Sequence, residues 1–429
     1  MLDVKLLRDN PNLVKENLKK RGDLEKLKWI DEFSDLDKRY RATLKRLDDL
    51  RHRKNVFTAN IAELKKKGDD TSANLNEMKE VSGSLYQLET ETRMLADRIH
   101  HILLRLPNLL HESVPLGKDD RDNLVIRTIG KPPKFKFEVK NHLDILLNLN
   151  LIDQERANKT AGHGFFYLKG DLVLLDLALM RYAIDFLGGE FTLTEPPFML
   201  PKKPYEGVTD VEDFKNVMYK IEGEDLYMIA TSEHPVASMF MDETLLLEKL
   251  PIKIMGISPC FRKEVGAHGK YTKGLFRMHH FNKIEQFVFC RPEDSWNIHE
   301  ELQKNVENFF KSLEIPIRVV NVCTGDIGTV AAKKYDIEGW MADGVYRELG
   351  SNANCTDYQA RRLNIKFREK EGAPPGPFVH TLNSTLVATS RAMVCLIENN
   401  QQEDGTVKIP KVLHPYMSGV KELTVNTKV

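Results

Sequence analysis

A chain of 429 residues is longer than one hydrophobic core usually serves, so two domains are expected. Its 63 Lys and Arg are balanced by 63 Asp and Glu, which excludes a uniformly basic nucleic-acid binder but leaves room for local basic stripes. The five cysteines lie about thirty residues or more apart with no CxxC spacing, which excludes a zinc framework and a disulfide scaffold.

The N-terminus, MLDVKLLRDNPNLV, lacks the apolar core of a signal peptide, and no run of eighteen apolar residues follows anywhere. A cytoplasmic protein is expected. From Ile30 to about Lys67 the apolar positions Phe33, Leu36, Tyr40, Leu44, Leu47, Leu50, Phe57, Ile61 and Leu64 fall mostly three or four apart, the spacing of one helical stripe. Leu75, Met78, Val81, Leu85, Leu88, Leu95, Ile99 and Ile102 repeat the pattern until Pro107 stops it. Between them KKKGDDTSANLN reads as a short polar loop, so residues 30–104 predict an antiparallel coiled-coil hairpin with helices of roughly 45 to 55 Å.

The outgoing helix of that hairpin is basic. Arg39, Arg46, Arg53, Lys54, Lys65 and Lys66 stand among eleven cations facing only three acids over residues 38–67. Such a stripe is either a solvated coiled-coil surface or a rail for a phosphate backbone. A linker is expected over residues 107–137, and a second domain over 138–429. There short alternating runs such as FFYLKG and IPIRVVNV, broken by Gly and Pro, predict an α+β fold with a mostly antiparallel sheet.

Within it, CFRKEVGAHGKYTKGLFRMHHFNKIEQF at 260–287 reads as a charged hairpin. Arg262 and Glu264 share one face of the incoming strand, and Arg277, His279, Phe281, Lys283 and Glu285 share one face of the outgoing strand. The connecting loop fails as a P-loop, because Tyr271 follows Lys270 where Ser or Thr is required. A nucleotide would therefore be held by arginine side chains on a sheet, with Phe281 as a stacking surface.

This hairpin, with its FRKE, basic glycine loop and RMHHF, resembles motif 2 of the class II aminoacyl-tRNA synthetases. TSEHP at 231–235, CTGDIG at 323–328, YDIEGW at 335–340, YRELGSNANCTDYQARR at 346–362 and TLNSTLVATSRAMVCLIENNQQEDG at 381–405 resemble the seryl-tRNA synthetases in particular. The coiled-coil arm resembles that family's tRNA-binding appendage, so the likeness spans nearly the whole chain. The fold implied is an antiparallel class II aminoacyl-tRNA synthetase core carrying an N-terminal helical hairpin.

The resemblance implies an enzyme that activates L-serine with ATP and passes it to tRNA(Ser), working as a homodimer with Mg2+ and without zinc. By similarity the serine site would comprise Thr231, Ser232, Glu233, Arg262, Glu285, Asn383 and Thr385. ATP would be held by Arg262, Lys263, Glu264, Arg277, Met278, Phe281, Glu348, Leu349, Gly350, Ser351 and Arg391, of which Arg262, Arg277 and Arg391 would be catalytic. Glu348 and Ser351 would bind Mg2+, and Lys273 would join the arm's cations in contacting tRNA. Asn383 and Thr385 are expected in the turn from strand to helix, Met278 on the face opposite Phe281, and Arg391 one turn beyond Val387 in the following helix.

The pattern also departs from the family. Thr272, Lys273 and Gly274 stand where it usually has TRG, and LNSTLVATSR where it usually has LNGSGLAVGR. Three other readings are a catalytically silent relative acting as an RNA-binding adaptor, an amino acid:carrier protein ligase, and a structural coiled coil. The first should have lost some of Arg262, Glu264, Arg277, Glu348 or Arg391, and all are present. The second lacks the arm, and the third has no use for ordered catalytic motifs.

Overall fold

The computed structural model describes residues 1–209, 217–264 and 274–427. It separates into two compact units, one of residues Leu2–Leu106 and one of Met1 with Pro107–Val429.

In the smaller unit, helices α1 (Val4–Asp9) and α2 (Pro11–Lys20) precede the long α3 (Leu27–Lys67) and α4 (Ser72–Arg105). At 41 and 34 residues the long helices run roughly 60 and 50 Å, the first longer than its apolar stripe suggests because it starts before Ile30. The connecting loop is also tighter than the sequence suggests. Gly68 closes α3 in the left-handed conformation that glycine adopts without penalty, and Asp70 accepts from the Ser72 backbone N–H at 2.9 Å to start α4.

Leu47, Val81, Leu85 and Leu88 form a narrow buried seam between the helices. Two polar residues, Asp37 and Thr43, are buried in α3 where the periodicity offers no apolar side chain. Asp37 is tolerated there because Arg8 donates to both of its oxygens, at 2.6 and 2.9 Å, and Arg41 adds a third bond at 3.0 Å. Opposed by burial, the Arg8 and Arg41 guanidinium groups hold the Asp37 carboxyl below its usual range.

The larger unit is built on eight strands: β1 (Leu124–Ile129), β2 (Thr192–Thr194), β3 (Ile252–Phe261), β4 (His280–Cys290), β5 (Ile317–Asn321), β6 (Lys333–Trp340), β7 (Tyr346–Thr356) and β8 (His380–Ala388). They lie in the order β1-β5-β6-β7-β8-β4-β3-β2. Every pairing is antiparallel except the short edge strand β2 on β3. Residues 107–137, expected as a linker, supply β1 and bury Asn108, whose amide donates to the carbonyls of Val330 and Cys355 at 2.9 Å. They are part of the folded unit because that backbone pairing and polar burial tie them down.

Helices α5 (Asp171–Leu187), α6 (Glu233–Ser238), α7 (Ser295–Ser312) and α8 (Thr389–Asn399) complete the frame. Side chains alternate along β4, so its two faces meet different partners. Gln286 bonds Asn305 and the Leu302 carbonyl of α7, whereas Phe287 and Phe289 pack with Val236 and Ala237 of α6. Ile284 and Val288 join the main core with Leu302, Val306 and Phe309 of α7 and Met393, Val394 and Ile397 of α8. The α6 face leaves room for polar groups. All five cysteines are free and buried. Among the described residues no helix is long and apolar enough to cross a membrane.

Candidate active site

The α6 side of β4 gathers the polar residues. Glu285 is 2% exposed and sits opposite Thr385 of β8 and Gly256 of β3. Thr231, just before α6, donates its hydroxyl to Glu285 Oε2 at 3.0 Å, and Thr385 donates to Oε1 at 3.3 Å. Lys283, two residues earlier on the same strand face, forms an ion pair with Oε2.

Glu233, the first residue of α6, accepts at Oε1 from the amides of Gln359 and Asn383, each at 2.9 Å. Burial and the neighbouring Glu285 raise its carboxyl to about 7, against the pull of Lys283, the Gln359 bond and Arg262. His234 behind it is driven down to about 3 by burial, with Lys283 and Arg262 adding to the effect. Glu233, His234 and Asn383 line one end of a 220 Å3 cavity that Cys355, Ala353, Ser351 and Lys334 share.

The three expected arginines come from separate segments of the chain. Arg262 donates from Nε to the Ala230 carbonyl at 3.1 Å, and its guanidinium lies 5.5 Å from the centre of the half-buried Phe281 ring. Arg277 is steadied by Glu264 at 3.2 Å. Arg391 of α8 donates to the Glu348 carbonyl at 3.1 Å, pairs with its carboxylate at 3.3 Å and lies over the Phe276 ring. Arg262 and Arg391 are partly buried and Arg277 is exposed, and each guanidinium already has an acceptor. Desolvation pushes the Glu348 carboxyl up, but Arg391, Lys334 and Arg262 outweigh it and hold it below its usual range while the side chain stays 46% exposed.

Ser351 of β7 faces Asp336 of β6 directly in the strand register. Asp336 is 7% exposed, and its Oδ1 has no hydrogen-bond partner among the described residues. Burial lifts its carboxyl to about 8 despite Lys334 at 3.7 Å. Among the described residues no three His, Cys, Asp or Glu side chains gather into a metal cage. Glu348, Ser351 and the orphaned Asp336 oxygen are nevertheless hard donors of the kind Mg2+ takes when phosphates and water complete its shell.

Several expected residues stand elsewhere. Regular β4 begins at His280, so Arg277 and His279 precede the strand. His279 is held in its bend by the Arg262 carbonyl at 2.7 Å and the Tyr219 hydroxyl at 2.9 Å. Met278 and Leu349 are buried in the main core, which leaves their side chains no access to a nucleotide. Ser232 donates to the Gly256 carbonyl at 3.3 Å and is fully buried, so it supports the pocket from behind.

Asn383 and Thr385 lie within β8, not in a turn, and Leu386 and Val387 belong to the strand as well; the helix starts at Thr389. The backbone of Lys263 is fixed to the Val217 carbonyl at 3.0 Å. Gly350 is a packing necessity, since a Cβ there would stand 2.8 Å from the Thr385 Cβ. Lys273, with Lys270, Tyr271 and Thr272 of the hairpin loop, lies outside the described residues. On the arm, Arg39, Arg46, Arg53, Lys54, Lys65 and Lys66 are all exposed, and Arg39 pairs with Glu91 across the helices at 3.3 Å.

The sequence assigns no role to Asp336, Lys334 or Gln359, and none to Lys283 beyond its place on the strand face. The alternation of Lys334, Asp336 and Glu338 along one strand was the available signal for the first two.

Comparison with known proteins places this geometry. Residues 216–400 match the tRNA synthetase class II core domain (G, H, P, S and T), and residues 1–110 match the seryl-tRNA synthetase N-terminal domain. A serine–tRNA ligase of Methanospirillum hungatei is 54% identical over 420 residues, covering 97% of this chain and 99% of that protein. The crystal structure of seryl-tRNA synthetase from Pyrococcus horikoshii complexed with ATP superposes with a TM-score of 0.92 at 49% identity, covering 99% of this chain and 100% of that one. The cytoplasmic serine–tRNA ligase from Naegleria fowleri in complex with AMP gives 0.86 at 36% identity, covering 100% and 99%.

Proposed function

Because the chain belongs to the seryl-tRNA synthetase family, we propose that the pocket between β4, β8 and α6 is where serine and ATP meet. The chain's reaction is the charging of tRNA with serine: L-serine and ATP give seryl-adenylate and pyrophosphate, and serine then passes to the 3′ end of tRNA(Ser). The observation that carries the assignment of the site is the polar cluster in which Thr231 and Thr385 bond buried Glu285 beside Glu233 and Asn383, with Arg262 close enough to act on the Glu233 carboxyl.

In this reading Thr231 and Glu233 take the substrate's ammonium, and Glu285 with Thr385 takes its hydroxyl or shares the ammonium. Asn383 acts through Glu233, which it orients. Arg262 holds the carboxylate beside the α-phosphate. A carboxylate oxygen then attacks the α-phosphorus in line as the bond to pyrophosphate breaks, a reaction that needs placement and charge stabilisation rather than an enzyme nucleophile. Glu264 contacts the nucleotide, Phe281 stacks on adenine, and Arg277 and Arg391 receive the γ-phosphate by exchanging their carboxylate partners for it. Mg2+, held by Glu348 and Ser351, would supply charge neutralisation along the polyphosphate. In the second step a terminal ribose hydroxyl attacks the adenylate's carbonyl carbon, its proton is released, and AMP leaves.

The exposed cations of the arm suit a backbone-reading contact with tRNA(Ser), in which position along the helix matters more than base identity. We place the chain in the cytoplasm as a homodimer; free buried thiols suit a reducing compartment. Sedimentation at the single-chain mass would refute the dimer. The test of the central reading is ATP–pyrophosphate exchange with serine, threonine and alanine. Exchange driven by serine is expected, and exchange driven only by threonine or alanine would overturn it.

A further inference from the structure

Two carboxylates, Glu233 on the cavity wall and Glu285 beside it, stand ready for a substrate that presents an ammonium and a hydroxyl, and the site's own cation sits on only one of them. Glu285 carries the Lys283 ion pair, the Thr231 hydroxyl and the Thr385 hydroxyl. A carboxylate accepts about four hydrogen bonds, so these three leave space for a single further donor. Glu233 receives two neutral amides at Oε1 and forms no ion pair among the described residues.

Lys283 is itself 6% exposed, with its strand neighbours Ser258 and Ala388 opposite it in the register. A buried ammonium so placed repels a second ammonium arriving at the same carboxylate, because few water dipoles stand between them. A neutral hydroxyl meets no such penalty. It needs one acceptor position, which is what Glu285 has left.

We propose that Lys283 is a positioning residue that reserves Glu285 for the substrate's hydroxyl and directs its ammonium to Glu233, so that discrimination of serine from alanine depends on Lys283. The inference rests on the reading that serine occupies this pocket. It resolves which carboxylate takes which end of the substrate. A pocket organised around one hydroxyl rejects the analogue lacking it, because its acceptor is then left without a partner.

The experiment compares Lys283→Met and Lys283→Arg with the unmodified full-length enzyme. Calorimetry measures binding of the seryl and alanyl sulfamoyl-adenosine analogues, and pyrophosphate exchange gives KM and kcat for serine and alanine. The unmodified enzyme should strongly prefer the seryl analogue. If it binds neither analogue and shows no serine-dependent exchange, the reading of the site fails and this inference with it. Given that preference, Lys283→Met should narrow the seryl-to-alanyl ratio by on the order of 10- to 100-fold, the worth of one hydrogen bond to a charged acceptor, and Lys283→Arg should restore part of it. Equal weakening of both analogues, or an unchanged ratio, overturns the inference while leaving the site intact. Should Lys283→Met not fold, Glu233→Gln asks the same question: it must weaken seryl and alanyl analogues alike, and a loss confined to the seryl analogue would put the hydroxyl at Glu233 and overturn the proposal.

Discussion

Arg46 and Arg262 are the same residue type in opposite settings. On the arm, Arg46 stands exposed on a helix whose cations are spread along a stripe, where solvent and salt weaken each charge and only their sum can hold a polyanion. In the catalytic unit Arg262 is half-buried, fixed to a backbone carbonyl and set beside an aromatic ring, so a single guanidinium can carry a large share of an interaction. The same alphabet of Arg, Lys and Glu therefore works additively in one region and residue by residue in the other.

The contrast is sharpest for Arg262→Ala, which should lower kcat/KM for serine-dependent pyrophosphate exchange by roughly a thousandfold, the scale expected when one preorganised charge-stabilising donor is lost. Unchanged exchange in that variant would move the active site elsewhere. Asp37→Ala tests the contrast from the other side, because Asp37 is a buried charge within the mostly solvated arm. Thermal melting followed by circular dichroism should show a loss of about 2 kcal/mol, between the values for exposed and buried pairs since Arg8 and Arg41 remain partly solvated.

The third expectation concerns pH. The Glu233 carboxyl lies near about 7, so below that value it is largely neutral and offers an incoming ammonium no counter-charge. Above it the carboxylate forms, and serine affinity should rise by roughly tenfold between pH 6 and 8, a dependence that Glu233→Gln should flatten. The smallest effects belong to the arm: Arg46→Ala, Arg53→Ala or Lys65→Ala should each raise KM for tRNA by about two- to fivefold, additively and with a shallower salt dependence, leaving pyrophosphate exchange untouched. An arm substitution that slowed exchange would break the division of labour.

How far the sequence foretold these arrangements follows the same division. The seam residues Leu47, Val81, Leu85 and Leu88 could be read directly, because a two-helix contact depends on little beyond spacing. So could the shared face of Phe281, Lys283 and Glu285, since strand alternation is a local property. The exit of Arg277 and His279 from that strand could not, for it is decided by the Tyr219 hydroxyl and the Arg262 carbonyl, which come from other segments. Nor could the burial of Ser232, which local pattern leaves open and packing decides. Asp37 shows the same limit within the arm: its burial depends on Arg8, outside the helix that carries it.

The burial of all five thiols has a practical side. A maleimide dye offered to the native enzyme should find little to react with, so a single cysteine placed at the exposed Lys66 could be labelled without first stripping the protein of its own. A change in fluorescence from that position on adding tRNA would then test the proposed role of the arm in real time.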